Sequence, residues 1–156
     1  MKVVTAINED YSIVSNLSTK IFLAGGISNC PNWQEDAIKY FEGVSEFDFT
    51  LYNPRRLEFP IGDPQAAEQQ IVWEFNHLKN ADIILYWFSK GSLNPIVLYE
   101  LGMWGNSSDK MTFVRIDPGY ERTQGVILQT ALARPELEIY DDLETMIRSI
   151  ISIITA

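Results

Sequence analysis

The chain is poor in the groups that build metal sites, disulfides and nucleic-acid grips. Cys30 is its single cysteine, which rules out an intrachain disulfide and makes a reducing cytoplasm the expected compartment. His77 is the single histidine, and no Cys/His or Asp-x-Asp spacing accompanies it, so no metal is expected. Within a helical stretch it is expected at the surface or in the core rather than as a ligand. Lys and Arg total 12 against 21 Asp and Glu, a formal charge of −9. Such a chain is badly suited to holding a nucleic-acid backbone, which needs clustered cations. No apolar run is long enough to span a bilayer, and the first residues lack the apolar stretch of a signal peptide. The dinucleotide fingerprint G-x-G-x-x-G and the P-loop pattern are both absent.

What is present is enough for a core. The 156 residues suit one domain, and 46% of them are hydrophobic. Lys20-Ile21-Phe22-Leu23-Ala24-Gly25-Gly26 has the look of a short buried strand closed by glycines. A helix is expected over residues 32–41 and a strand over 47–52, broken by Asn53-Pro54-Arg55-Arg56. A second helix is expected over about residues 65–80, with Ile71, Phe75 and Leu78 as its inward period. Residues 82–88 are almost continuously apolar, as in a parallel strand buried on both faces. Asn94-Pro95 has the form of an N-cap followed by proline in the first turn of a helix that ends near Gly105. Residues 111–116, 123–132, 137–140 and 141–154 continue as strand, helix, strand and capped helix.

This alternation predicts a doubly wound α/β fold: a five-stranded parallel sheet in the flavodoxin-like order, with helices on both faces. One domain over residues 1–156 is expected. Residues 1–19 form an extension, in which residues 3–6 and 11–14 are readable as a small hairpin on a sheet edge. Ligands in such folds bind beyond the carboxyl ends of the strands. That rule collects Gly25 and Gly26, Asn53 to Arg56, and the loop leading to Asn94.

Glu100 is the one charged side chain between Asn94 and Gly105. An isolated carboxylate among apolar groups is costly unless paired or tuned, and tuned carboxylates gather at active sites. Glu74, in Ile71-Val72-Trp73-Glu74-Phe75, repeats the pattern on a helix face shared with Gln70, Ile71 and Leu78. Two carboxylates in unlike environments are the equipment of glycosidic cleavage, one attacking and one supplying a proton. The bland alternative for each is a helical glutamate turned to solvent. Gly25-Gly26 is open between a tight turn and a close approach of ligand to backbone. Arg55 and Arg56 are open between a bidentate phosphate contact and a solvated or subunit-facing pair. The tryptophans 33, 73, 87 and 104 are more simply core residues than stacking platforms.

The segments Ile21-Phe22-Leu23-Ala24-Gly25-Gly26, Asn53-Pro54-Arg55-Arg56, Trp73-Glu74, Asn80-Ala81-Asp82-Ile83-Ile84 and Tyr99-Glu100-Leu101-Gly102 resemble the nucleoside 2-deoxyribosyltransferase family. The resemblance covers about residues 20–116. It implies a flavodoxin-like, usually oligomeric enzyme that needs no metal or organic cofactor. Such an enzyme breaks the N-glycosidic bond of a 2'-deoxynucleoside and passes the sugar to a second base. It implies Glu100 as the nucleophile that forms a covalent glycosyl intermediate, Glu74 as the residue serving the leaving base, and Asn94 as a ligand contact. Gly25, Gly26, Asn53, Arg55 and Arg56 complete the expected substrate-binding set. Two positions depart from the family: Asn94 where Asp is common, and Phe22 where many members carry a tyrosine that orients the nucleophile. Tyr99, Tyr52 or a neighbouring subunit are the alternatives for that hydroxyl. The partners implied are a nucleoside or nucleotide, a free nucleobase and further copies of the chain. Two other functions stay open: an N-glycoside hydrolase of nucleoside 5'-monophosphates, and a nucleotide sensor without turnover.

Overall fold

A computed structural model describes residues 1–8, 17–45 and 47–156. The elements in chain order are β1 (Lys2–Thr5), β2 (Thr19–Gly25), α1 (Trp33–Glu42), β3 (Phe49–Asn53), α2 (Pro64–Asn80), β4 (Ile83–Phe88), α3 (Pro95–Trp104), β5 (Met111–Ile116), α4 (Thr123–Ala133), β6 (Ile139–Tyr140) and α5 (Leu143–Ile154). The strands form one sheet in the order β1-β3-β2-β4-β5-β6, and every pairing is parallel. The five strands from β3 to β6 follow the flavodoxin-like order, so the fold expected from the alternation is the fold observed.

Among the described residues the sheet has six strands rather than five. Residues expected to make one arm of a hairpin form β1, which pairs parallel to β3 from Lys2 opposite Thr50 to Thr5 opposite Asn53. The expected second arm, residues 11–14, lies outside the described residues.

Period-2 geometry splits the core into two layers. In β4, Ile84, Tyr86 and Phe88 face the layer that holds Trp73 and Val97. Ile83, Leu85 and Trp87 face the layer of Trp33, Phe41, Met146 and Ile150. All of β4 is buried, as its unbroken apolar sequence requires.

On α2 the inward face differs from the expected one. The buried residues are Ala66, Trp73, His77 and Leu78, whereas Ile71 is 65% and Phe75 45% exposed. The stripe that faces the sheet carries two amphipathic rings, each with a ring nitrogen at a backbone carbonyl. Trp73 Nε1 donates to the Asn8 carbonyl at 2.9 Å, and His77 Nδ1 lies 2.7 Å from the Trp73 carbonyl, its ring stacked on that of Trp73. A hydrophobicity period that discounts Trp and His selects the neighbouring stripe.

Helix ends are otherwise set as the caps suggest. Asn32, Asp63 and Asp142 accept from the first-turn amides of α1, α2 and α5. Asn94 does not. It adopts a left-handed backbone (φ 49°) and makes no side-chain cap bond, although Pro95 does open α3.

Candidate active site

A cavity of about 420 Å³ opens at the carboxyl ends of the strands. Phe22, Ala24, Gly25 and Gly26 of β2 and its following turn form its floor. Gln70, Ile71 and Glu74 of α2 make one wall, and Asn94, Val97 and Glu100 at the start of α3 make another. Phe59 and Pro54 come from the segment after β3. Two carboxylates predicted from sequence thus share one cavity, and among the described residues no Lys, Arg or His lines it.

Glu100 is 8% exposed on a helix whose other buried residue is Val97. Among the described residues nothing donates a hydrogen bond to its carboxylate. Loss of water, and secondarily the charge of Glu74, push it up to about 8. Glu74 is pushed above the ordinary carboxylate range by burial, with its hydrogen bond from Gln70 pulling the other way. The Tyr86 hydroxyl, raised by the same burial and by Glu100, donates to the Glu100 backbone carbonyl at 3.3 Å. That bond fixes the helix rather than the carboxylate.

Neither tyrosine considered for the missing hydroxyl lines the cavity. Tyr99 is 67% exposed, and Tyr52, buried in the core, accepts from Asn80 Nδ2 at 3.1 Å. Phe22 does line the cavity, a ring where the family often has a phenol.

The two glycines are demanded by packing as well as by the cavity. A Cβ on Gly25 would run into the Trp33 indole, and one on Gly26 into Asn94 Oδ1 and Cys30 Sγ. Asn94, almost wholly buried, spends its amide on its own loop: Nδ2 donates to the carbonyls of Ser89 at 3.0 Å and Ser92 at 2.8 Å. Cys30 Sγ approaches Asn94 Oδ1 at 3.6 Å, so the β2–α1 and β4–α3 turns touch through these two side chains.

Asn53, Arg55 and Arg56 do not line the cavity. Asn53 Oδ1 accepts from the Arg55 amide at 3.0 Å, which turns the chain after β3. The Arg55 guanidinium is enclosed by acceptors. Nε donates to Gln34 Oε1 at 2.9 Å, and Nη2 faces the carbonyls of Gly26, Ile27, Cys30 and Pro31, that of Pro31 at 2.8 Å. Arg56 lies over the Phe59 ring at 5.3 Å. Arg55 therefore ties the cavity's frame together, while Arg56 Nη1 is buried with no hydrogen-bond partner among the described residues.

Ile27, Ser28 and Ser92 belong to the segments that the sheet rule brings to this end, and they line the cavity. Sequence reasoning gave no role to Gln70, Phe59 or Ile96, which line it too. Gln70 had a usable signal, its place one turn before Glu74 on the same face. Phe59 and Ile96 had none. Among the described residues no cluster of His, Cys, Asp and Glu could hold a metal ion.

The model of a family described as nucleoside 2-deoxyribosyltransferase like matches residues 18–120, which include every cavity element. No curated protein matches the chain.

Proposed function

Because the chain belongs to the nucleoside 2-deoxyribosyltransferase-like family, we propose that it cleaves the N-glycosidic bond of a 2'-deoxynucleoside and transfers the deoxyribosyl group to a second nucleobase. Family membership by itself carries nucleoside deoxyribosyltransferase-like, glycosyltransferase-type chemistry. The observation that supports the finer reading is the pair Glu100 and Glu74 on two walls of one cavity.

The steps follow from the two environments. Glu100, once ionised, attacks C1' as the C1'–N bond breaks, and the bonding pair passes to the departing base. Glu74 gives that base its proton. The oxocarbenium-like transition state is stabilised by the adjacent negative charge. A nitrogen of the incoming base then displaces Glu100 from C1' and passes its proton to Glu74. Two displacements retain the anomeric configuration.

The choice between a nucleoside and its 5'-monophosphate turns on Arg56. Arg55 is already surrounded by carbonyls. Arg56 lies over the Phe59 ring of the cavity lining, and its buried Nη1 has no hydrogen-bond partner among the described residues. Turnover of a deoxynucleoside and of its 5'-monophosphate, compared in wild type and Arg56→Ala, separates the two: a loss confined to the monophosphate assigns Arg56 to the phosphate, and equal rates on both assign the nucleoside.

Self-association belongs to the same reading. Ile71, Val72 and Phe75 on α2, with Ile96, Tyr99 and Met103 on α3, leave apolar side chains exposed. Ile71 and Ile96 of this set also line the cavity.

Incubation with a deoxynucleoside, with and without a second free base, tests the function. Base exchange supports transfer. Free deoxyribose without exchange assigns a hydrolase, and binding without either product assigns a sensor. Glu100→Ala should abolish turnover in a folded protein, and wild-type rates in that variant would exclude Glu100 as nucleophile.

A further inference from the structure

Glu74 does not stand alone on α2. Gln70, one turn earlier, donates from Nε2 to Glu74 Oε1 at 2.7 Å and to the Pro54 carbonyl at 2.8 Å. Two acceptors on one nitrogen consume both amide hydrogens and fix which end of the side chain is nitrogen. Gln70 Oε1 is left buried with no hydrogen-bond partner. The side chain thus forgoes one hydrogen bond and keeps both donors where they are, although an unpaired buried acceptor is destabilising.

The second acceptor matters as much as the first. Pro54 lies on a different element, at the turn after β3. The Asn53–Arg55 bond and the Arg55 clamp hold that turn in place. Gln70 therefore references the Glu74 carboxylate to the cavity's frame and not merely to its own helix.

We propose that Gln70 is the positioning residue of the leaving-base acid: by filling Glu74 Oε1 with an N–H it confines the acid proton to Oε2, the oxygen left for the substrate. This rests on the role given to Glu74 above. When the C1'–N bond breaks, its electron pair goes to the base, the base takes the Oε2 proton, and Glu74 becomes a carboxylate. The Gln70 hydrogen bond is then charge-assisted and stronger than before. An interaction that strengthens as the reaction proceeds raises kcat, not only affinity. The direction in which Gln70 draws the Glu74 proton affinity, downward against burial, agrees with support of the ionised product.

Gln70→Met keeps the length of the side chain and removes both donors. The test compares kcat/KM of wild type and variant on a purine 2'-deoxynucleoside and on its N7-methylated counterpart. The methylated base already carries positive charge and leaves as a neutral molecule without taking a proton. The variant should lose about 10- to 100-fold on the ordinary substrate, the range of a general-acid contribution, and stay within about twofold on the methylated one. Combined with Glu74→Gln, it should lower the ordinary rate no further than Glu74→Gln alone. Equal losses on both substrates, or no loss on the ordinary one, would overturn the assignment. Gln70→Leu gives the same comparison if the methionine variant does not fold. A wild-type protein that cleaves neither substrate overturns the function beneath the inference, and the inference with it.

Discussion

In the proposed reaction Glu100 has to lose a proton before it can attack carbon, and its surroundings oppose that loss. Glu74 carries its charge while Glu100 still holds a proton, and the two titrate as a pair. The reactive form keeps one proton between them, so kcat/KM should rise as the pair loses its first proton and fall as it loses the second, at about pH 8. A rate that keeps climbing beyond about pH 8 would contradict this. The same shift has a stability consequence of definite sign. The folded protein holds the Glu100 proton longer than the unfolded chain, whose ordinary value is 4.5. Glu100's contribution is therefore full below that value and is lost as pH rises through about 8, at about 1.4 kcal/mol per pH unit across the window. Glu100→Gln removes the titration. Its melting temperature should exceed that of wild type by a margin that grows between roughly pH 5 and pH 8, while activity disappears. Gly26 makes a different kind of demand. Gly26→Ala drives a methyl into Asn94 and Cys30 and should cost about 1–3 kcal/mol in denaturant unfolding.

At the scale of elements, the turn after β3 is the joint between the α2 wall of the cavity and its floor. Its Pro54 carbonyl takes Gln70 of α2, and its Arg55 side chain takes the carbonyls that follow β2. Lysine cannot replace that fork, because its donors radiate from one point. Arg55→Lys should raise KM for the nucleoside several-fold with a smaller change in kcat, and should lower the melting temperature. Unchanged steady-state constants would detach the clamp from substrate binding. The elements were legible in sequence to the extent that one local cue decided them. The unbroken apolar run of β4, Pro95 at the head of α3 and the cap at Asp142 are all of this sort. The inward face of α2 was not, since Trp73 and His77 count as polar until their partners, Asn8 and the Trp73 carbonyl, are in place. Asn94 likewise has the sequence of a cap, but tertiary contacts turn its amide back onto its own loop.

For the whole molecule, the sheet order was readable from the alternation of strands and helices, and with it the end where a ligand would sit. Glu100 and Glu74 were legible as charges in apolar company. The fate of Arg55 was not, because a turn followed by two arginines has the same sequence whether a cation faces a ligand or a cage of carbonyls. The apolar band on α2 and α3 gives the molecular-scale prediction. Ile71→Glu should shift the protein to a smaller species in light scattering, and an unchanged mass would separate that band from assembly. The all-parallel sheet has one more consequence. Among the described strands no pairing is a hairpin, and β2 must find β4 across all of α1, β3 and α2, Ile21 meeting Ile83. Long-range closures of this kind are slow, because chain entropy is lost before the contacts repay it. Folding should therefore be limited by the docking of β2 on β4, and amides of β4 should be the last to exchange with deuterium. The carboxyl ends of those same two strands position the cavity. A newly made chain would then gain secondary structure first and bind a nucleoside only when that docking is complete.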